Sequence, residues 1–384
     1  MAKYTIAWMP GDGVGNEVME AARLVLDRLK LDAKYVPADI GWKFWCTEGN
    51  PLPDRTIEIL KKTDCALFGA ITSKPRDEAA KELDPSLADK GLSYFSPIVK
   101  LRQLFNLHTN LRPCKAYKGN PLNKLGDEID LVVFRENTEG MYGGIEWFPL
   151  PAKIATAMAD SEVGHPARMK RWFEKGLDNV ALSTRIMSRQ GCESICRQAF
   201  EYAKTHNRKS VTCIDKPNVL RETGGLMTRT FREVARGYAG IEPWEANIDA
   251  ICMWMLKNPQ SYDVLVAENM FGDIVSDLCA GLVGGLGFAP AANIGDTFAV
   301  FEPTHGSAPK YEGKGVVNPI AMILTARMML DWLGENDMAD RLENAVARVI
   351  EEGTTRTYDM AGKPAGSPGT ASTMEMANAI AALL

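Results

Sequence analysis

Two aspartates four residues apart follow a short apolar run and are the most informative pair in the chain. Asp273 and Asp277 lie in residues 268–277, directly after the apolar residues 264–267. A strand that leads into a helix would place both carboxylates on one helix face. Two such acids repel each other unless a cation lies between them, and carboxylate oxygens are the ligands that Mg²⁺ and Mn²⁺ prefer. The pair suggests a metal site, although a solvated helix face is the commoner origin of this spacing.

Three arginines offer a second kind of chemistry, the binding of carboxylates. Arg102 lies in a Leu-Arg-Gln segment, Arg112 lies in Asn-Leu-Arg-Pro, and Arg135 follows a strand predicted over residues 129–134. The carboxyl end of such a strand borders the active-site crevice of an open α/β sheet. Because a guanidinium grips a carboxylate through two parallel hydrogen bonds, three converging arginines would suit a substrate with two or three carboxylates. Taken singly, each arginine is better explained by a surface ion pair.

Tyr142 and Lys216 are candidates for proton transfer. Tyr142 lies among glycines in residues 138–144, and Lys216 follows Asp215 after a strand predicted over residues 209–214. A lysine beside an acid and near a metal can have its pKa lowered enough to act as a base or relay, and a tyrosine can donate a proton. Most such residues are surface or packing positions, so neither one predicts a reaction by itself.

Two glycine-containing loops are candidates for binding nucleotide phosphates. Residues 10–16 follow a strand and open a helix, but they lack the final glycine of the dinucleotide fingerprint, so a tight structural turn is the favoured interpretation. Residues 302–311 offer backbone N–H groups before Lys310, although His305 there could equally be satisfied within its own loop. The glycines of residues 281–287 predict close backbone packing at a domain junction or cofactor cleft.

Length and composition exclude several classes of protein. A chain of 384 residues predicts two domains, or one domain with a large insertion. A net charge of −5 gives no bulk attraction to nucleic acid or an anionic membrane. The apolar runs are too short to span a membrane and the N-terminus has no signal-peptide pattern, so a cytoplasmic protein is expected. The eight cysteines form no Cys-x-x-Cys pair, and Cys192 and Cys196 are predicted to pack in the core.

The elements that must position these residues alternate between strands and helices, which predicts an α/β protein. Strands are predicted at residues 3–8, 63–68, 129–134, 209–214 and 262–266. Helices are predicted at residues 16–30, 54–62, 97–105, 186–206, 227–238, 270–284, 319–333 and 337–352. Prolines and glycines break this alternation at residues 149–170, which predicts an extension or arm, and residues 361–372 are predicted to form a loop before a terminal helix.

The order of the motifs resembles the isocitrate/isopropylmalate dehydrogenase family of metal-dependent β-decarboxylating dehydrogenases. The resemblance runs from residue 5 to about 360, and its motifs lie at residues 11–15, 101–103, 110–113, 134–146, 215–218, 272–277, 287–295 and 303–309. Such a set in one order is far more specific than any single motif. It implies a homodimer with shared active sites, in which each chain has a large domain of residues 1–108 and 284–384, and a small α/β domain of residues 109–283 with a clasp near residues 140–185.

The resemblance assigns binding roles to the residues already singled out. The carboxylates of a 2-hydroxy acid would be bound by Ser96, Arg102, Arg112 and Arg135. Mg²⁺ or Mn²⁺ would be held by Asp273 and Asp277, with Asp249 contributed by a second copy of the chain. Asp249 opens a predicted helix, where an acid could equally be a cap, so only the family pattern makes it a ligand.

The reaction that the resemblance implies is oxidation followed by loss of CO₂. The hydride on C2 of the substrate would pass to a nicotinamide, and Lys216 from the second copy would handle the hydroxyl proton. Tyr142 would help to protonate the carbon from which CO₂ departs. A non-catalytic regulatory subunit would typically lack one of the metal aspartates, the tyrosine or the lysine. This chain has them all, which favours an enzyme.

The resemblance also implies a set of cofactor contacts. They are Thr72, Glu302, His305, Gly306, Ser307, Ala308, Lys310, Tyr311, Asn318, Tyr358 and Asp359. NAD-dependent members resemble a pattern with an acid where Lys310 stands, whereas a lysine there would attract the 2′-phosphate of NADP. Gly362 and Asn258 depart from this pattern, since NADP binders often have arginines at those positions. NADP is the predicted cofactor, and NAD is the alternative.

The substrate is predicted from the segment that enters the first arginine helix. Isocitrate enzymes resemble Ser-x-Asn at residues 96–98, and this chain keeps Ser96 but has Ile98 in place of the asparagine. Isopropylmalate enzymes place leucines there to meet an alkyl group. Lys100 could supply compensating charge or simply be solvated. Isocitrate is the predicted substrate, with homoisocitrate, isopropylmalate and tartrate or malate as alternatives.

Overall fold

The computed structural model describes residues 2–160 and 166–384. Its strands are Tyr4–Gly11 (β1), Ala33–Pro37 (β2), Cys65–Ala70 (β3), Thr109–Lys115 (β4), Asp130–Glu136 (β5), Glu146–Trp147 (β6), Leu182–Ser183 (β7), Ser210–Asp215 (β8), Glu242–Asn247 (β9), Val264–Ala267 (β10), Pro290–Ile294 (β11) and Ala299–Pro303 (β12). Its α-helices are Gly15–Leu29 (α1), Trp42–Glu48 (α2), Asp54–Leu60 (α3), Arg76–Lys81 (α4), Pro97–Leu104 (α5), Ala152–Ala159 (α6), Pro166–Phe173 (α7), Arg189–Thr205 (α8), Thr223–Ala235 (α9), Ile248–Lys257 (α10), Asn269–Leu282 (α11), Ile320–Trp332 (α12), Asn336–Glu352 (α13) and Thr373–Ala381 (α14).

The large sheet consists of two parallel blocks that run in opposite directions. Its strand order is β2-β1-β3-β12-β11-β4-β5-β10-β8-β9. Strands β11 and β4 are antiparallel to each other and to their outer neighbours, so they join the two blocks. One block and β11 come from both chain ends, while the other block and β4 come from the middle of the chain. This division supports our proposal that residues 1–108 with 284–384 form one domain and residues 109–283 form the other.

Strand β10 explains how the middle block holds together. All four of its residues are buried, as expected for a parallel strand that is covered on both faces. Val264 and Val266 pack against α8, while Leu265 and Ala267 pack against α11. The same α8 cluster contains Cys192 and Cys196, so the prediction that these cysteines pack in the core is confirmed.

Several predicted boundaries move by a few residues, for local reasons. The helix predicted at 186–206 begins at Arg189, because the Ser188 hydroxyl caps it by accepting from Gly191 N at 2.9 Å. The helix predicted at 227–238 begins four residues earlier, at Thr223. The glycines in its first turn are typical of a loop, so the sequence places the start too late. Strand β4 was not predicted, because Pro113 interrupts its ladder of N–H donors. Strand β11 opens with a proline and was also missed.

The predicted arm forms a unit outside the large sheet. Strands β6 and β7 pair antiparallel in a small sheet of their own, and the short helices α6 and α7 lie between them in the chain. Part of the predicted arm, residues 161–165, falls outside the described residues. At the other end of the chain, the predicted loop at 361–372 leads into α14, which a capping box of Ser372 and Glu375 opens. No helix in the described ranges is long and apolar enough to cross a membrane.

Candidate active site

The two aspartates of α11 are bridged by an arginine of strand β4. Glu268 caps the helix by accepting from Phe271 N at 2.8 Å, which fixes the turn after β10. Arg112, on β4, places its Nη1 3.1 Å from Asp273 Oδ1 and 3.2 Å from Asp277 Oδ1. A positive group therefore lies between the two carboxylates. Asp273 is partly buried, whereas Asp277 is 57% exposed, so a shared arginine rather than burial joins the pair.

Arg135 enters the same cluster from the end of β5. Its side chain is almost fully buried and its Nη1 pairs with Asp273. Its Nε and Nη2 donate to Asn269 Oδ1 at 3.0 and 2.7 Å. A Cβ atom at position 272 would lie 2.7 Å from Arg135 Cγ, so Gly272 allows α11 to pass over the arginine. Residues 268–273 therefore position Asp273 and also leave space for Arg135, with which it pairs.

Arg102 joins the cluster through a buried asparagine. Asn293 Oδ1, on β11, accepts from Arg102 Nε at 2.9 Å, from Asn110 Nδ2 at 2.8 Å and from Asn137 Nδ2 at 2.9 Å. Glu302 Oε1 accepts from Arg102 Nη2 at 3.2 Å and from Asn293 Nδ2 at 2.7 Å. Glu302, predicted as a cofactor contact, thus lies beside a predicted substrate arginine. The asparagines were missed by sequence reasoning, because no local motif marks them.

The charges of this cluster balance one another. Burial opposes ionisation of Asp273, but Arg135 and Arg112 outweigh it and lower the pKa of Asp273. Burial raises the pKa of Asp277, because Arg112 and Arg135 compensate only in part and Asp273 repels it. Burial, then Arg112 and Arg102, lowers the pKa of Arg135. Three arginines therefore face three acids, Asp273, Asp277 and Glu302.

Tyr142 lies against the cluster as a proton donor. Its hydroxyl donates to Asp273 Oδ2 at 2.6 Å, and the Arg135 guanidinium lies 4.9 Å from the centre of its ring. Burial and the hydrogen bond to Asp273 raise the pKa of Tyr142, so the phenol stays protonated at neutral pH. The candidate acid is therefore already in contact with a candidate metal ligand.

The two specificity positions on α5 differ in their surroundings. Ser96 occupies the N-cap position, is half-buried, and makes no side-chain capping bond. Ile98 is only 7% exposed and packs in a core cluster with Met9, Leu101 and Leu107. Ile98, which stands where isocitrate enzymes resemble an asparagine, is thus part of the hydrophobic core.

Lys216 and Asp249 lie together but apart from the α11 pair. Lys216 Nζ binds Asp249 Oδ1, and the Asp249 side chain is 69% exposed at the start of α10. In the described part of the chain, no three carboxylate, histidine or cysteine side chains gather closely enough to hold a metal ion. One copy therefore brings together two of the three predicted metal ligands. The third ligand is largely exposed, whereas the predicted base is partly buried, with 22% of its side chain exposed.

Seven of the eleven predicted cofactor residues line a separate cleft of about 280 Å³, and Thr72, Glu302, Ser307 and Lys310 are not among its lining residues. Its walls include Val14, Val18, Gly284, Leu286, Gly287, His305, Gly306, Ala308, Tyr311, Val317, Asn318, Tyr358 and Asp359. Of the glycines in residues 281–287, Gly284 and Gly287 contribute to the wall. Ala308 adopts a left-handed backbone conformation with φ of 38°.

The glycine turn near the N-terminus supports the loop that carries Ser307. Val14 N donates to Ser307 O at 2.9 Å, and a Cβ atom on Gly13 would lie 2.2 Å from that oxygen. The Thr72 hydroxyl lies 2.6 Å from Ser307 Oγ. The structural interpretation of residues 10–16 is confirmed: Gly13 is needed for close backbone approach. His305 Nε2 is buried without a hydrogen-bond partner among the described residues, and burial lowers the pKa of His305.

A cation and two phenols meet at one end of the cleft. The rings of Tyr311 and Tyr358 lie 5.6 Å apart, and Lys310 Nζ lies 4.7 Å from the centre of the Tyr311 ring. Asn318 Nδ2 donates to Asp359 Oδ2 at 3.0 Å on the cleft wall. The arrangement suits a dinucleotide, because a buried imidazole, an amide, phenols and an ammonium can together bind ring, ribose and phosphate groups.

Sequence reasoning missed two charged residues near these sites. Asp12 lies in the glycine turn and accepts from Trp42 N at 2.7 Å and from Thr72 N at 2.9 Å. An acid between two glycines was the available signal. Arg185 binds Asp215, the residue before Lys216, through Nη2 at 2.8 Å. Nothing in the sequence around Arg185 predicts that contact.

Comparison with known proteins places this architecture in a family. The family model described as isocitrate/isopropylmalate dehydrogenase matches residues 5–380. The chain is 41% identical to a 3-isopropylmalate dehydrogenase from Archaeoglobus fulgidus over 99% of both chains. It is 40% identical to Protein DlpA from Legionella pneumophila over 98% of its own length, but it spans only 58% of that protein. A crystal structure of isocitrate dehydrogenase from Methylococcus capsulatus superimposes with a TM-score of 0.83, at 36% identity, over 99% of both chains. The α/β fold and the predicted resemblance are confirmed, and the chain belongs to the isocitrate/isopropylmalate dehydrogenase family.

Proposed function

We propose that this chain oxidises and decarboxylates isocitrate to 2-oxoglutarate and CO₂ with NADP⁺. Membership of the family supports the reaction class, the oxidative decarboxylation of a hydroxy acid by a dehydrogenase. The observation that carries the proposal is the convergence of three buried arginines on the aspartates of α11. Such a cluster is suited to a substrate with several carboxylates and to a cation.

The arginines have the task of binding and orienting the substrate. Arg102, Arg112 and Arg135 are buried and held by asparagine and acid partners, so their guanidinium planes are fixed before a substrate arrives. Fixed donors lose little conformational entropy on binding. The Ser96 hydroxyl, which has no capping bond, adds a donor at the entrance to α5.

The donor set of α11 fits Mg²⁺ or Mn²⁺. Asp273 and Asp277 contribute carboxylate oxygens, and Arg112 Nη1 already bridges them at 3.1 and 3.2 Å. A bound divalent ion would supply Lewis acidity at the substrate hydroxyl. Tyr142, whose phenol is protonated and bonded to Asp273, would deliver a proton beside that position.

A second copy of the chain would complete the site. Helix α10 packs beside α11, and the two helices expose Met253, Trp254, Leu256 and Ile274. Contiguous exposed apolar side chains mark an interface. We propose that two copies pair through this face, which carries Asp249 at the start of α10. Asp249 and Lys216 of each copy would then serve the other copy's site, where Lys216 takes up the substrate's hydroxyl proton.

The choice of NADP rests on the end of the cofactor cleft. Lys310 lies over Tyr311, and Tyr358 stands 5.6 Å from that ring, so an ammonium and two phenols can receive a 2′-phosphate. Gly362 and Asn258 provide no charge where NADP-binding relatives often have arginine, so we expect discrimination between the cofactors to depend mainly on Lys310.

The substrate proposal is tested by an initial-rate panel with Mg²⁺. Isocitrate, homoisocitrate, 3-isopropylmalate, malate and tartrate are each assayed with NADP⁺ and with NAD⁺. We expect the highest kcat/KM for isocitrate with NADP⁺. A higher value for 3-isopropylmalate with NAD⁺ would show that both choices are wrong. No turnover of any substrate despite Mg²⁺ binding would favour a regulatory subunit.

A further inference from the structure

Arg185 links the ends of two neighbouring strands of the middle block. It lies at the end of the clasp segment, and its side chain is buried. Its Nη2 lies 2.8 Å from Asp215 Oδ2 at the end of β8, and its Nε lies 3.6 Å from Glu268 Oε2 just after β10. The guanidinium also lies 5.0 Å from the centre of the Phe271 ring. One side chain therefore contacts both strand ends.

Both acids that Arg185 contacts set the position of another segment. Asp215 Oδ1 accepts from Lys216 N at 2.7 Å, so the same carboxylate holds the start of the lysine loop. Glu268 Oε1 caps α11 through Phe271 N at 2.8 Å. Helix α11 then presents Asp273 four residues beyond its first residue. The orientation of Arg185 therefore affects the positions of both Lys216 and the aspartates of α11.

The contact with Glu268 has unused hydrogen-bonding capacity. Within the described ranges, neither Arg185 Nε nor Glu268 Oε2 has a hydrogen-bond partner, although both atoms are buried. The backbone of Gly140 leaves space for this carboxylate, because a Cβ atom there would lie 2.8 Å from Glu268 Oε2. Gly140 precedes Tyr142 by two residues, so the tyrosine loop also borders the contact. A buried unpaired donor and acceptor this close can form a hydrogen bond after a small movement.

We propose that Arg185 is a positioning residue that couples the two active sites of a dimer. The inference rests on the proposed function, in which α11 serves its own site and Lys216 serves the site of the second copy. Arg185 holds α11 through Glu268 and the Lys216 loop through Asp215. Loss of Arg185 from one chain would therefore impair both sites, one by misplacing its aspartates and the other by misplacing its lysine.

Arg208 provides a matched control at the opposite end of the same block, where it joins β5 and β10. It pairs with Asp130 at 2.9 Å and with Asp263 at 3.0 Å, at the points where β5 begins and where the chain approaches β10. Like Arg185, it is a largely buried arginine that joins two acids from neighbouring strands. It contacts no residue of the candidate site. A purely structural role for Arg185 predicts that Arg185→Met and Arg208→Met behave alike.

The first experiment measures hydrogen exchange in the absence of substrate, by mass spectrometry of Arg185→Met, Arg208→Met and the unmodified protein. For Arg185→Met we expect faster exchange in both residues 215–220 and residues 268–273. For Arg208→Met we expect faster exchange near residues 208–212 and no change in those two segments. Unchanged exchange in either segment of Arg185→Met would overturn the proposed coupling, whatever the enzyme's substrate is.

The second experiment uses mixed dimers, purified through two different tags. A dimer with one Tyr142→Phe chain should keep about half of the kcat, because each tyrosine serves a single site. A dimer with one Arg185→Met chain should instead fall close to the value of the fully substituted dimer, about tenfold or more below the unmodified one, with little change in KM. Retention of half the kcat would overturn the coupling.

A conservative variant separates the effect of bridging two carboxylates from the effect of a positive charge alone. Arg185→Lys keeps the positive charge but loses the fork that reaches both carboxylates. We expect it to restore thermal stability while kcat remains low, whereas full recovery of kcat would show that charge alone suffices and would overturn the bridging role. If the unmodified protein turns over no hydroxy acid, the proposed function fails, and the exchange experiment still tests the physical link.

Discussion

Arg208 and Arg185 join the same group of strands at opposite ends, and their surroundings differ. At the Arg208 end the hydrogen bonds are complete: Arg208 Nη1 also donates to Asp130 O at 3.1 Å, and Asp263 Oδ2 accepts from Lys209 N at 2.6 Å. Burial opposes ionisation of Arg208, but hydrogen bonds to Asp130 outweigh it and raise the pKa of Arg208. This end holds the strands together and leaves little capacity for a ligand.

At the Arg185 end the polar groups retain capacity for further partners. Glu268 Oε2 lacks a hydrogen bond within the described residues, and one nitrogen of Arg112 serves two aspartates at 3.1 and 3.2 Å. The raised pKa of Asp277 reflects the same incomplete compensation. Completeness of pairing thus separates an ion cluster that stabilises the fold from one that can bind a ligand.

The largest effect is expected from Asp273→Asn. Loss of this carboxylate removes a metal ligand, so we expect metal-dependent kcat to fall by about a thousandfold or more while the fold is retained. The matched change at the other end is Asp130→Asn, which should leave kcat within about twofold and lower the unfolding free energy by about 1 kcal/mol or less. Steady-state kinetics and Mg²⁺ titration calorimetry measure the first variant, and chemical denaturation measures the second. Equal kinetic losses in both variants would erase the distinction between the two ends.

Tyr142→Phe should have the next largest effect. It removes the hydroxyl that donates to Asp273 at 2.6 Å but keeps the ring beside Arg135. Because general acid catalysis contributes about a hundredfold or more, we expect a kcat loss of that order with a nearly unchanged KM. The control is Tyr238→Phe, since Tyr238 also donates to a carboxylate, that of Glu201 at 2.7 Å, near the start of β9. A normal kcat for Tyr142→Phe would remove this residue from the mechanism.

Lys310→Asp reverses the charge beside the tyrosines at one end of the cofactor cleft. Reversal of this charge should lower the ratio of kcat/KM for NADP⁺ to that for NAD⁺ by about tenfold or more, because an acid repels the 2′-phosphate. Lys314→Asp makes the same charge change at an exposed position in the same loop and should move the ratio far less. Both ratios come from initial rates with each cofactor. Equal shifts for the two variants would mean that general charge, rather than the position of Lys310, selects the cofactor.

The smallest effect concerns the pH dependence of stability at His305. Burial lowers the pKa of His305 below its ordinary value of 6.5, so below that pH the unfolded chain binds a proton that the folded chain does not. Stability should therefore fall as pH decreases from 6.5 towards the folded pKa. His305→Gln should flatten this part of the profile, whereas the same change at the exposed His206 should not. Thermal unfolding at several pH values gives the comparison, and a profile unaffected by His305→Gln would contradict the burial argument.

Much of the site could be predicted because its residues lie in continuous segments. Asp273 and Asp277 follow a recognisable strand-to-helix turn, and Arg135 ends a recognisable apolar strand. The aspartates indicated a bound cation, and the arginine indicated a carboxylate substrate. The structure brings Asp273, Asp277 and Arg135 together with Arg112. Local periodicity and residue chemistry were sufficient for these residues, since each lies at an element boundary that hydrophobic patterns reveal.

The remainder depends on contacts between segments that are distant in sequence. Asn293 unites Arg102 with two other asparagines only because β11 lies beside β4 in the sheet. The side chain of Arg185 reaches β8 and β10 across a gap of 30 and 83 residues. Such pairs arise from strand order, and the antiparallel crossing at β11 and β4 has no signature in an alternating α/β pattern.

The position of Arg112 has a consequence for how the protein matures. Its Nη1 lies between Asp273 and Asp277 at almost equal distances, so the repulsion between these acids is already neutralised within one chain. Assembly of this region therefore does not have to wait for an ion. We expect the chain to fold to a stable product in the presence of a chelator and to acquire its metal afterwards, in contrast to proteins in which metal binding drives folding.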